Sequence, residues 1–134
     1  YINSYGGEVY DGLRLYDVIQ GSSYTPIRVH AEGKIMSMGL IVYLAGSEEE
    51  RFASPNATFM AHSLSSGAWG KMSELKTEVK ECERLNDQLI AILAEKTKHT
   101  KAWWKKEIEH KDQYYDKKKA MKLGIVTNDK FEVE

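Results

Sequence analysis

One periodic stretch sets the scale of this fold. Met72, Leu75, Val79, Cys82, Leu85, Leu89 and Leu93 advance by threes and fours, the spacing that stacks side chains along one face of an α-helix. The pattern predicts an amphipathic helix of about 25 residues, roughly twice the length usual in globular domains. The chain has 134 residues, enough for one core but not two. A helix that long either leans its whole stripe on that core or carries part of it to a partner.

Ahead of it, strands and helices alternate. Tyr1 to Asn3 reads as the end of a strand already under way, so the sequence is expected to begin inside a longer protein. The glycine pair Gly6-Gly7 turns the chain. From Val9 to Gln20 the apolar residues Val9, Leu13, Tyr16 and Ile19 recur at helical spacing. Gly21-Ser22-Ser23 breaks that helix, and Pro26 to His30 alternates as a strand that Gly33 is expected to end. Met38 to Ala45 is apolar nearly all round, the mark of a buried helix. Glu48 to Arg51 reads as a solvated loop, followed by a short strand at Phe52-Ala53 and a strand from Ala57 to His62. Residues 63–70 are small and flexible. After the long helix, further helices are expected from Lys101 to about His110 and from Asp116 to Leu123, the last capped by Gly124. The alternation argues for a single α/β domain over residues 1–134 with βα crossovers.

Composition removes several classes. A formal net charge of -1 gives no general attraction to nucleic acid or anionic membranes. The one cysteine, Cys82, permits no internal disulfide and points to a reducing compartment. No apolar run approaches the roughly 18 residues of a membrane span. Lysines between Lys96 and Lys122 interleave with Trp103, Trp104, Tyr114 and Tyr115, a pattern also seen where single strands stack. Glu107, Glu109, Asp112 and Asp116 share the stretch, so it reads as a solvated helical face.

Three local motifs can carry chemistry, and each has a plain structural alternative. Gly33-Lys34-Ile35-Met36-Ser37-Met38-Gly39 puts a serine between a strand and a buried helix. Free N–H groups there suit an oxyanion, while a serine in that position equally serves as an N-cap. His62 ends an apolar strand at a flexible loop, where a general base or a structural histidine would sit. Asn3-Ser4-Tyr5-Gly6-Gly7 brings backbone close to whatever lies above it, as an oxyanion donor or as a tight turn.

In order and spacing these motifs resemble the Clp protease proteolytic subunit family. The match runs through Asn3 to Gly7, Gly33 to Gly39, Arg51 to Ala57 and Met60 to His62. It continues through the glycines of 67–70 and the long helix, to Asp112, twelve residues ahead of Gly124-Ile125-Val126. The resemblance implies a crotonase-like (ClpP-like) stack of βαβ units with a long protruding helix. It implies Ser37 as nucleophile, His62 as base and Asp112 as orienting acid, with the backbone N–H groups of Gly7 and Met38 facing the oxyanion. Asp112 has no local mark and is identified through the resemblance alone. No metal or organic cofactor is implied.

The resemblance further implies heptameric rings stacked in pairs, an AAA+ unfoldase docked outside, and unfolded protein as substrate. Tyr1 would line the apolar pocket where the unfoldase docks. The stripe of the long helix, Leu85 and Leu89 included, would form a contact between subunits or rings. The cytoplasm is the expected compartment, with a plastid stroma or a phage-encoded copy as variants. Two other readings stand beside it: a non-catalytic ring subunit, and a serine–lysine enzyme of the signal-peptide-peptidase group on the same fold. Met36 stands where the family has alanine before the serine. His110 and Lys111 replace an acid–arginine pair ahead of the aspartate, so these two residues alone provide no acid–base exchange between rings.

Overall fold

The structure, a computed structural model, describes residues 1–131. Strands and helices alternate as β1 (Ile2–Ser4), α1 (Val9–Gln20), β2 (Val29–Met36), α2 (Met38–Leu44), β3 (Arg51–Ala53), β4 (Thr58–Ala61), α3 (Met72–Lys96), α4 (Lys101–Ile108), β5 (Gln113–Tyr115) and α5 (Lys117–Leu123). The mixed α/β architecture expected from the alternation is present.

β2 is the spine of the sheet. β1 runs parallel to it. The first half of β2 pairs with β3 and the second half with β4, both parallel. β5 then adds to β4 in the antiparallel sense. The expected end of β2 at Gly33 is corrected: the strand runs on to Met36. Gly33 sits within it at φ +72, where the β1–β2 register shifts. A glycine tolerates that left-handed backbone in a bulge without ending the strand. The strand also starts later than expected, because Ile27 exchanges hydrogen bonds with Ser47 instead, through Ser47 Oγ at 2.8 Å and its own carbonyl at 2.9 Å.

The core lies where α2, the C-terminal half of α3, α4 and the 120–126 segment meet the sheet. Tyr43, Phe59, Ile35, Leu40, Leu44, Trp104, Leu123, Ile125 and Val126 are all fully enclosed. Trp104 and Tyr115 belong to this core, so of the aromatics in the lysine-rich stretch only Tyr114 is exposed and Trp103 is part-covered.

Arg51 is a second correction. It is buried, at 3% exposure, and opens β3 instead of lying in a solvated loop. Its guanidinium donates to the carbonyls of Ile125, Lys96 and Gly124 at 2.9 to 3.0 Å. Those carbonyls include the open ends of α3 and α5, which a planar five-donor fork suits both in geometry and in sign.

α3 is as long as expected, at 25 residues, but its two halves differ. Leu85, Leu89, Ile90 and Leu93 are buried, whereas Met72 and Val79 are 69% and 54% exposed. Leu85 and Leu89 therefore pack on their own domain, and only the earlier turns project. None of the helices in the described residues is long and apolar enough to cross a membrane.

Candidate active site

Three neighbouring strands end at one place. β2 stops at Met36, one residue before Ser37, and β4 stops at Ala61, one before His62. β5 runs the other way and starts at Gln113, one after Asp112. Met36 pairs with Met60 and Ala61 pairs with Gln113. Carrying each register one step on puts Ser37 beside Ala61 and His62 opposite Asp112. The Ser37 N–H donates to the Met60 carbonyl at 2.9 Å, so the ladder itself holds the serine. Sites at the carboxyl ends of parallel strands are where open α/β sheets bind ligands.

The side chains of Ser37, His62 and Asp112 come together at this edge. His62 Nε2 lies 2.7 Å from Ser37 Oγ, and Nδ1 lies 3.5 Å from Asp112 Oδ1. The second distance is longer than the roughly 3.2 Å limit of a well-formed N–H···O bond. The Asp112 side chain is 53% exposed, against 26% for His62. The imidazole is thus well placed toward the serine and loosely placed toward the acid.

Ser37 is the N-cap of α2, yet its side chain makes no capping hydrogen bond. Its hydroxyl faces His62 instead. Its backbone is at φ 55 and ψ -125, a conformation that costs a non-glycine residue about 1–3 kcal/mol and gathers at functional sites. Gly6 lies directly against this turn at φ +105, where a Cβ would stand 2.7 Å from Ser37 Cβ and 2.9 Å from the Met36 carbonyl oxygen. Only glycine lets the 5–7 loop come so close. Gly7 and Met38, the two expected oxyanion donors, both line the cavity that Ser37 and His62 open into. Among the described residues, neither backbone N–H has a protein acceptor.

The cavity measures about 90 Å³, and its walls are chiefly apolar, from Val9, Leu40, Ile41, Leu89, Leu93 and Ile108. No lysine lines it. Leu64, also in the wall, donates its N–H to Asn86 Oδ1 at 3.0 Å, so α3 holds the chain just past His62. Tyr115 sits behind, its phenol pushed above its usual range by burial and then by the Glu107 carboxylate. The glycine pair was legible in the sequence, though not that Gly6 closes against the Ser37 turn. Sequence reasoning passed over Asn86, because an asparagine inside a long helix carries no signal until the tertiary contacts exist. At the exposed end of α4, Glu109 Oε2 lies 3.6 Å from His110 Nε2, an acid that the pair His110–Lys111 lacks.

The mixed sheet, the serine-bearing turn before α2 and the long α3 define an α/β protein of the ClpP-like fold. Comparison with known proteins agrees: the Clp protease family model matches residues 1–129. The chain belongs to the Clp protease family. The ATP-dependent Clp protease proteolytic subunit of Deinococcus radiodurans is 33% identical over 126 residues, which cover 94% of this chain and 61% of that protein. The chain therefore spans somewhat under two thirds of this relative's length.

Proposed function

We propose that the chain is the catalytic portion of a serine endopeptidase subunit, with Ser37, His62 and Asp112 as its triad. The observation that carries this is the 2.7 Å approach of His62 Nε2 to the hydroxyl of a backbone-strained serine at the mouth of an apolar cavity. With its proton on Nδ1 toward Asp112, the imidazole takes the Ser37 Oγ proton as Oγ attacks a peptide carbonyl. The carbonyl oxygen gains the charge and faces the N–H groups of Gly7 and Met38, each worth roughly 3 kcal/mol at such a site. His62 then protonates the leaving amine, and water repeats the cycle on the acyl-enzyme. A serine–lysine mechanism finds no support, since the group within reach of Ser37 is an imidazole and no lysine lines the cavity.

Membership in the Clp protease family supports a wider role. The subunits would assemble as heptameric rings stacked in pairs. The exposed turns of α3 are the natural contact for that assembly. An AAA+ unfoldase would feed unfolded polypeptide, in the cytoplasm or an equivalent compartment. Tyr1 suits its docking site: its ring stacks on His30, which stacks on Phe52, at 4.8 and 4.9 Å.

Fluorophosphonate labelling tests the chemistry. The expected result is modification of Ser37 in the parent and none in Ser37→Ala, which also loses hydrolysis of a small hydrophobic peptide ester. His62→Ala should lower kcat by about 10⁴-fold or more. Labelling of Ser63, whose hydroxyl donates to the Ile108 carbonyl at 2.7 Å, or of Ser65, which lines the cavity, would overturn the mechanism. Labelling that persists in Ser37→Ala overturns the assignment.

A further inference from the structure

His62 and Asp112 form the loosest link of the site, and each is followed by a residue whose side chain reaches the same helix end. Ser63 Oγ donates to the Ile108 carbonyl at 2.7 Å. Gln113 Nε2 donates to the Glu107 carbonyl at 2.8 Å. These carbonyls are successive and lie in the last turn of α4, where no later helical N–H remains to bond them. One helix terminus thus grips both flanks of the imidazole–carboxylate pair.

That terminus is a firm reference point. Trp104 of α4 is fully buried and donates Nε1–H to Thr97 Oγ1 at 2.8 Å. Ile108 is 2% exposed, and Thr100 caps the other end of the helix through the Trp103 N–H at 3.2 Å. Residues 109–112, by contrast, are all exposed, so packing does not place Asp112. Without the side-chain ties its position would depend on β5, a strand of three residues.

We propose that Ser63 and Gln113 are positioning residues that set the separation of His62 and Asp112 by hydrogen bonding to the C-terminal carbonyls of α4. The inference rests on the triad reading above and deepens it. Neither side chain touches substrate; each acts through its neighbour in sequence. Fixing the acid opposite Nδ1 keeps the imidazole in the tautomer whose Nε2 accepts the Ser37 proton. Losing a tie therefore slows the chemical step while leaving the apolar cavity, and substrate binding, as they were.

The test uses the assembled protein with Ser63→Ala, Gln113→Met and the double variant. Each single change should lower kcat on a small hydrophobic peptide ester about ten-fold and the pair about 10²-fold, the scale of a misplacement near 1 Å. KM should stay within about two-fold, as expected when only the transition state loses stabilisation. Ser63→Thr, which keeps the hydroxyl, should restore the rate. Solid-state ¹⁵N spectra of histidine-labelled protein should show one neutral tautomer at His62 in the parent and a mixture in the variants. An unchanged kcat in the double variant, a Ser63→Thr as slow as Ser63→Ala, or an unchanged His62 tautomer overturns the proposal. A fall in thermal stability at constant kcat overturns it too, reducing both residues to packing. A parent that neither hydrolyses the ester nor takes the fluorophosphonate overturns the peptidase reading instead, while the His62 spectra still decide the ties.

Discussion

The two halves of α3 carry the same apolar repeat and meet different fates. From Leu85 onward the stripe is buried against α2 and α4, with Leu89, Ile90 and Leu93 in the core. Before it, Met72 and Val79 face outward, and polar ties link these turns to α1. Tyr10 on α1 donates to Glu81 at 2.8 Å, and Arg84 grips the same carboxylate at 2.7 and 2.8 Å. Periodicity announces that a face is apolar; it does not announce what covers it. The buried half belongs to the core, and the projecting half leaves Met72 and Val79 exposed.

The sharpest way to break this contrast is to damage the two halves in turn. Ile90 is 4% exposed and does not line the cavity, so Ile90→Ala should destabilise the protomer by about 2–5 kcal/mol, the usual cost of a large-to-small change in a core. Chemical denaturation reads this directly, and a loss under about 1 kcal/mol would mean that the C-terminal half is not core.

Leu85→Glu puts a charge where the side chain is 5% exposed and should also cost the protomer several kcal/mol. Folded but dispersed subunits from this variant would instead restore Leu85 to a contact between copies. Val79→Glu is the counterpart on the projecting half. Protomer stability should shift by no more than about 0.5 kcal/mol, while sedimentation shows smaller assemblies. Unchanged size would separate the exposed stripe from assembly.

The smallest effect concerns the polar edge. Arg84 and then Tyr10 hold the Glu81 carboxyl down at about 2. A depressed carboxyl contributes stability that is complete above its unfolded value, near 4.3, and is lost as the pH falls through the folded one. Amide exchange in the Met72–Arg84 turns should therefore quicken between about pH 4.3 and 2 relative to the Leu85–Lys96 turns, once intrinsic rates are divided out. Tyr10→Phe should quicken it already at neutral pH. Equal protection in both halves at every pH would remove the tie from the account.

Local pattern was enough to define the helices. α1 runs from Val9 to Gln20 as its spacing predicts, and α2 and α3 start where they were expected. Helical bonds close within the segment that makes them, so the pattern and the structure share one stretch of chain. Ser37 and His62 stand at boundaries where an apolar element meets glycine or small residues, but local pattern left each with a structural alternative, and only the resemblance to the family joined them.

What only tertiary structure decided is what depends on a distant partner. β5 has three residues, too few for an alternation to register, and exists because β4 offers an open edge. Its register sets His62 opposite Asp112, which no local property of an aspartate among many acids reveals. Arg51, at the end of a run of glutamates, read as solvated. It is buried because three carbonyls from remote segments converge on it. The sequence by itself determined which faces are apolar and which turns can bend. Long-range pairing determined which faces are covered, because a hydrogen bond or a contact between segments far apart leaves no periodic trace in either one.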